Sequence, residues 1–391
     1  MKEKNMNDQL IREFTDRFGA APEAIACAPG RLEILGNHTD YNQGFVLSCA
    51  VGLNTAFAAR KIAGSVCTIR DFRDGSEKKF DLNKIDKAVR GDCSNYVKGM
   101  ITALRRRGFT IGAFEAGMRS TVPLSAGMSS SAAFETAAGF ALRELFDIQL
   151  SNEEWALAGQ EVENAYLGLK TGLLDQFSSI FGKKDSIILS DFRKIAVLKT
   201  VQLPAGYAVA VINSMKKHNL VDSEYNVRRE DCENAAAVMR KIYPEAQTLR
   251  DITPEQLTRA KDSLGDREYR RALHVTGECS RVHQAVEFIE KGDVAGFGQL
   301  WFDSHESSRV NFENSTPELD YLIELAKSVP GALGARLSGG GFGGITIHLV
   351  KKDQADEYAR KVCAAYKLRT GIEAEYYICE LGDGARSEKL N

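Results

Sequence analysis

GRLEILGNHTDYNQG occupies residues 30–44. It sets Arg31, Glu33, Asn37, His38, Thr39, Asp40, Tyr41 and Asn42 within a dozen positions. Pro29 precedes it and the apolar run Phe45-Val46-Leu47 follows. Hydrogen-bonding side chains placed beside core are costly unless each meets a partner. The stretch therefore gathers many hydrogen-bonding groups right beside what reads as core.

Working outward, residues 6–18 have the spacing of an amphipathic helix, with Leu10, Ile11 and Phe14 on one side. GFVLSCAVGLNTAFAARKI and SVCTIRDF read as strands, and Asp74 and Gly75 as a turn. SNYVKGMITALRRRGF reads as a helix ending at Gly108, and AFEAGMRSTVP as a strand running into a loop. SAAFETAAGFALRELF is an Ala-rich helix. A further helix starts at Ser151, with Glu154 placed for a capping box, and runs through Leu167. SIILSDF, IAVLKTVQL and GYAVAVINS are strand-like; long charged helices cover about 223–242 and 266–290. Strands and helices alternate without a regular beat, which favours α+β over a doubly wound sheet. A chain of 391 residues exceeds what one core usually serves. Two domains are expected, 1–200 and 201–391, with the boundary within 195–206.

Hydrophobic residues make up 43% and charged residues 27%, the balance of a globular protein. A net charge of -2 argues against broad attraction to nucleic acid or an anionic membrane, but leaves room for a small phosphate pocket. Eight cysteines are scattered without a CxxC, so they read as reduced, mostly buried thiols of a cytoplasmic protein. The charged N-terminus has no apolar run like a signal peptide's, and no run approaches the roughly 20 residues that span a bilayer.

Three further segments carry chemistry. VPLSAGMSSSAAFETA places Ser125, Gly127 and Ser129–Ser131 between a strand and a helix. Free N–H groups and a positive dipole at a helix start, with glycine and serine donors, make a phosphate cradle. The plainer alternative is a serine cap after a turn. RLSGGGFGGITIHL reads either as a hairpin or as backbone packed close to another loop or ligand. TGLLDQFSS places Asp175 just past Gly172, with Glu163 twelve residues earlier. Phosphoryl transfer needs a group to orient the attacking hydroxyl and a carboxylate for Mg²⁺, whereas the plainer role for Asp175 is a helix cap.

In this order the segments resemble the galactokinase family of GHMP small-molecule kinases. Residues 30–44 are similar to that family's GRxNxxGEHTDYNxG. VPLSAGMSSSAAFE resembles its phosphate loop, QEVENAYLGLKTGLLDQFSS the segment carrying its catalytic aspartate, and HNLVDSEYNVRREDCENAA a stretch with a sugar-contacting tyrosine. RALHVTGE, FDSHESSR, TPELDYL, GARLSGGGFGGITI and GDGAR continue the match, which runs from about 20 to 386. The resemblance implies a two-domain GHMP fold with the site in the interdomain cleft. It implies ATP and Mg²⁺ as cofactors, a sugar as partner, and a monomer. Asp175 would be catalytic, with Arg31 beside it. Glu163 and Ser130 would hold Mg²⁺. The backbone of Ser125, Ala126, Gly127, Met128, Ser129, Ser130 and Ser131 would wrap the phosphates. His38, Asp40, Tyr225 and backbone around Gly172 would grip the sugar, with Glu33 and Asn37 beside them.

Five positions depart from the family pattern: Asn37 stands for its glutamate, Glu33 for its asparagine, Ser125 for a glycine, Asn164 for a histidine and Ser48 for a proline. Galactose is the leading substrate. A galacturonate or other 6-modified-sugar kinase is the alternative that Asn37 raises, and a non-catalytic sugar sensor is another. His218, His274, His283, His305 and His348 lack metal-ligand spacing and read as structural or surface residues.

Overall fold

The computed structural model describes residues 3–124, 127–216 and 221–390. Among them, two sheets carry the architecture. The first contains β1 (Ala24–Leu35), β2 (Phe45–Lys61), β3 (Val66–Asp71), β4 (Glu77–Asp81), β5 (Phe114–Ser120), β6 (Ser186–Asp191) and β7 (Ala196–Gln202). The second is formed by β8 (Tyr207–Asn213), β9 (Ala332–Ser338), β10 (Ile345–Lys351) and β11 (Glu375–Cys379), in the order β11-β8-β10-β9. The last strand, β12 (Arg386–Lys389), returns to the first sheet and pairs with β1. The first sheet runs β12-β1-β2-β5-β3-β4. The long β2 pairs with β5 through residues 55–61 and with β6 through residues 45–48.

The helices are α1 (Glu3–Phe18), α2 (Asn95–Arg106), α3 (Ser130–Leu145), α4 (Asn152–Glu161), α5 (Leu174–Phe181), α6 (Val221–Ile242), α7 (Pro254–Arg259), α8 (Asp266–Lys291), α9 (Val294–Ser307), α10 (Pro317–Ser328) and α11 (Ala355–Thr370). The expected mixture of helix and strand is present, and the elements fall within a few residues of the stretches proposed from spacing. The capping box is present: the Ser151 hydroxyl accepts from Glu154 N–H while the Glu154 side chain accepts from Ser151 N–H. Six of the eight cysteines are buried and all eight are free.

Two clusters of buried side chains place the site. One packs α2, α3 and α4 on the first sheet, where the alanines of α3 allow a close approach and Phe140 meets Trp155. The other joins Leu32, Ile34 and Leu47 of the first sheet to Val209, Val211, Ile345 and Ile347 of the second, with Val282 of α8 and Trp301 of α9. Each such side chain contributes roughly 1.5–3 kcal/mol on leaving water. The two sheets are thus held together through an apolar core, and the alternation of β1 sends Leu32 and Ile34 into it. Arg31 and Glu33 point to the opposite face.

Candidate active site

Register shifts in the β1–β2 pairing fall between Pro29 and Arg31 and between Glu33 and Leu35. Such bulges re-aim side chains, and here they bracket Arg31 and Glu33. Gly30 brings the strand against the serine loop: a Cβ there would sit 2.5 Å from the Met128 carbonyl, and Arg31 N–H donates to that carbonyl at 3.1 Å. The Arg31 Nε donates to Asp175 Oδ1 at 2.7 Å, Nη2 lies 2.7 Å from the same oxygen, and Nη1 donates to the Gly127 carbonyl at 2.8 Å. Asp175 Oδ2 accepts from the Ser129 hydroxyl. Asp175 is the second residue of α5, so it is not the helix cap that its position suggested; Leu173 caps that helix.

The start of α3 lies beside this pair. Its cap, Ser129, has φ +52° and makes no side-chain cap bond, because its hydroxyl is turned to Asp175. The first amides of α3 are therefore uncapped by a side chain, a geometry suited to phosphate. Gly127, Met128, Ser130 and Ser131 flank it; Ser125 and Ala126 lie outside the described residues, as does His218.

On the other side of Asp175 a cavity of about 360 Å³ is lined by Arg31, Glu33, Asn37, His38, Asp40, Gly172, Asp175, Tyr225, Gly339 and Gly340. It brings together the sugar residues expected from the sequence. The loop after β1 turns at Gly36, where φ is +98° and a Cβ would sit 2.5 Å from the Phe45 carbonyl. The Thr39 hydroxyl lies 2.7 Å from both the Gly36 and Phe45 carbonyls. His38, at φ +59°, has both ring nitrogens engaged: Nε2 meets the Gly340 carbonyl at 3.1 Å and Nδ1 the Tyr41 hydroxyl at 2.9 Å. A carbonyl only accepts, so these partners assign the proton to Nε2. Burial drives the His38 pKa down to about 3, which keeps the ring neutral. Tyr225 packs 4.9 Å from His38, centroid to centroid. Asp40 accepts from Leu174 N–H at 3.3 Å and lies directly over Gly172, where any Cβ would land on its carboxylate. Burial raises its pKa.

The loop 165–171 is closed by Asn164, whose amide donates to the Thr171 carbonyl at 3.1 Å and accepts from Thr171 N–H at 2.9 Å. Glu163 sits in a π-turn, Val162–Tyr166, that interrupts the helical path at the site. Its Oε2 accepts from the Thr171 hydroxyl at 2.6 Å; burial, and then the charge of Asp175, push its pKa up to about 7. Behind it Glu135 is fully buried with neither oxygen hydrogen-bonded, and both polar atoms of the Gln176 amide are likewise without partners. Burial, with Glu163 nearby, raises Glu135 well above the usual carboxylate range.

Sequence reasoning did not find several contributors. A second, more apolar cavity of about 240 Å³ runs from Ser130 and Ser131 between Ile69, Tyr96, Met118, Leu124 and Phe134. Glu278 of α8 accepts from Gly36 and Asn37 N–H at 2.8 Å each and from Arg281 Nε at 2.6 Å. Burial alone would raise its pKa; Arg281 and Arg336 outweigh that and hold it far below the carboxylate range. Asn314 and Arg336 join the same network. The only signal for Glu278 was RALHVTGE, a matching segment with no role attached. His274, His305 and His348 are buried, and His283 meets Phe45 edge-on, ring centroids 4.4 Å apart.

Three family models match the chain: the galactokinase galactose-binding signature over residues 12–61, the GHMP kinases N terminal domain over 95–183 and the GHMP kinases C terminal domain over 285–368. The galactokinase of Actinobacillus pleuropneumoniae serotype 5b (strain L20) is 38% identical over 379 residues, 95% of this chain and 97% of that protein. The galactokinase of Glaesserella parasuis serovar 5 (strain SH0165) is 39% identical over 382 residues, 96% of this chain and 97% of that protein. Among solved structures, Lactococcus lactis galactokinase complexed with galactose superposes with a TM-score of 0.92 at 32% identity, covering 98% of this chain and all of that one. Methanococcus jannaschii mevalonate kinase, 18% identical with a TM-score of 0.62 over 92% of this chain and 98% of its own, shares the fold.

Proposed function

The chain belongs to the galactokinase family of GHMP kinases, and from that premise we propose that it transfers the γ-phosphoryl group of ATP to the anomeric hydroxyl of galactose, giving galactose 1-phosphate and ADP. The observation that carries this reading is the Arg31–Asp175 pair, placed where the polar cavity meets the uncapped start of α3. A sugar hydroxyl on one side of Asp175 and a phosphate on the other is the arrangement that in-line transfer requires.

Each residue then has a task. Asp175 keeps a quarter of its side chain exposed, enough to accept a hydrogen bond from the attacking hydroxyl and to receive its proton. Arg31 fixes that carboxylate through two nitrogens and adds positive charge where the transferred group becomes more anionic. The backbone from Gly127 to Ser131 receives the phosphates, and the apolar cavity beside Phe134 receives the adenosine. Asp40, backed by Gly172, accepts from a sugar hydroxyl, while His38 and Tyr225 form an apolar-faced wall.

The residues present also fit Mg²⁺. Glu163 is pushed up by burial and by a neighbouring negative charge, so a cation relieves both. No group of three or more His, Cys, Asp and Glu among the described residues cages a metal, which agrees with an ion held mostly by nucleotide phosphates. Glu163 and Ser130 would hold it, and it would neutralise charge on those phosphates. Among the described residues no helix is long and apolar enough to cross a membrane. The reading places the protein in the cytoplasm, where ATP and free sugar meet, and takes it as a monomer.

The test is ADP release from ATP and Mg²⁺ with galactose, glucose or galacturonate as acceptor. Turnover with galactose is expected to exceed the others by far. Turnover with galacturonate alone would overturn the substrate, and ATP-independent sugar binding without any turnover would overturn the kinase.

A further inference from the structure

Residues 33 and 37 both line the sugar cavity, but their side chains are not equally available to a ligand. The Asn37 amide is saturated by the protein. Its Nδ2 donates to Glu33 Oε1 at 2.9 Å and to the Gly339 carbonyl at 2.7 Å; its Oδ1 accepts from Asn314 Nδ2 at 2.9 Å and from Ser308 Oγ at 3.4 Å. An amide has two N–H groups and two lone pairs, and all four are used. Its donors face Glu33 Oε1 and the Gly339 carbonyl, so a flipped amide would set oxygen against oxygen.

Glu33 is half used. Oε1 accepts from Asn37 and from Arg336 Nη2 at 3.0 Å. Oε2 has no hydrogen-bond partner among the described residues, and although the side chain is only 4% exposed, Glu33 lines the cavity. Arg336 is fully buried and also donates to the backbone carbonyls of Glu33 and Ile34, so it fixes the strand as well as the carboxylate. Glu33 lies two residues along β1 from Arg31 on the same face, roughly 7 Å from the residue that holds Asp175. That places the open oxygen at the edge of a sugar ring away from its reacting hydroxyl.

Resting on the galactose-kinase reading, we propose that Glu33 is the specificity-determining residue for one remote hydroxyl of the sugar, and that Asn37 is a positioning residue that aims it. Above neutral pH an open carboxylate oxygen takes an O–H donor and repels a second carboxylate. The wall therefore selects a neutral sugar with a hydroxyl at this position over a uronate. The pairing is also obligatory. A glutamate at 37 would turn an oxygen toward Glu33 Oε1 and the Gly339 carbonyl, where only a donor is tolerated.

The experiment measures kcat and KM for galactose, each monodeoxygalactose and galacturonate, with wild type, Glu33→Gln, Asn37→Glu and the exchange Glu33→Asn/Asn37→Glu. Thermal midpoints are recorded alongside. Glu33→Gln is expected to raise KM for galactose at least tenfold with kcat within about threefold, and to move the galactose-to-galacturonate preference at least tenfold toward the uronate. One deoxygalactose, and one only, is expected to be used equally by wild type and Glu33→Gln, which identifies the hydroxyl read. Asn37→Glu is expected to lose more than Glu33→Gln, and the exchange to recover part of that loss. If Glu33→Gln weakens every deoxygalactose by the same factor, or leaves KM for galactose unchanged, Glu33 is structural and the proposal is overturned. Failure of the wild type to turn over galactose would overturn the reading of function instead; the Glu33 claim would then be decided by calorimetric binding of the same sugars.

Discussion

The two sides of Asp175 are built in opposite ways. On the sugar side nearly every polar group already has a protein partner: Asn37 makes four hydrogen bonds, His38 two, and Glu278 pins the loop backbone from α8. On the nucleotide side groups are left wanting. The cap of α3 is turned away from its own amides, Glu163 sits with a raised pKa, and Glu135 and Gln176 have no partners. On the proposed reading the sugar must fit a wall set beforehand, whereas a nucleotide and its cation would bring the charge that completes their side. Specificity is thus expected to be most sensitive to substitutions on the first side, and metal dependence to those on the second.

Breaking the hinge between the two sides should have the largest effect. Asp175→Ala is expected to lower kcat by on the order of 10³-fold while leaving KM for galactose within a few-fold, since the wall stays intact. Steady-state kinetics checks this; a parallel collapse of galactose binding would mean that Asp175 holds the wall together. On the sugar side, Gly172→Ala drives a methyl group into the Asp40 carboxylate. A displacement of that size should cost on the order of 10²-fold in kcat/KM for galactose, with KM for ATP little changed.

On the nucleotide side, Glu163 reports through pH. Its folded pKa, near 7, lies above the ordinary 4.5, so the metal-free protein retains its proton below about pH 7 and gains stability on acidification from 7 toward 4.5. On the proposed reading Mg²⁺ would have to displace that proton. The Mg²⁺ concentration needed for half-activity should rise by up to roughly tenfold per unit as pH falls below 7, and level off above it. Glu163→Gln should flatten that dependence, although Glu33 also titrates near 7; an unchanged slope would remove Glu163 from the metal. The smallest effect is expected at the apolar cavity. Phe134→Ala should raise KM for ATP about five- to tenfold and leave KM for galactose alone.

What was legible in the sequence was local or was carried by the family likeness. The Ser151–Glu154 box, the Ala-rich α3 and the alternating β1 depend on neighbours a few positions apart, and short-range chemistry dictates them. Arg31, Asp175 and Glu163 were singled out because matching motifs named them, although 144 positions separate the two members of the Arg31–Asp175 pair. The rest depends on contacts that no spacing announces. Asn37 reads as a free hydrogen-bonding residue until Gly339 and Asn314, some 300 and 277 positions away, take up its amide. The second, apolar cavity is assembled largely from β3, β5, α2 and α3, each unremarkable alone. The π-turns at Glu163 and Ser308 look helical in sequence, since each is a five-residue continuation of a helix and too short to show a period of its own. That Ser129, rather than a neighbour, reaches Asp175 follows from its left-handed φ, which serine does not advertise.

The most direct measurement is a phosphorus NMR spectrum of the reaction of the wild-type protein with ATP, Mg²⁺ and galactose. A sugar phosphate on the anomeric oxygen, growing in step with ADP, is the result expected from Asp175 between the cavity and α3. ADP without sugar phosphate, or phosphate on any other hydroxyl, would contradict it.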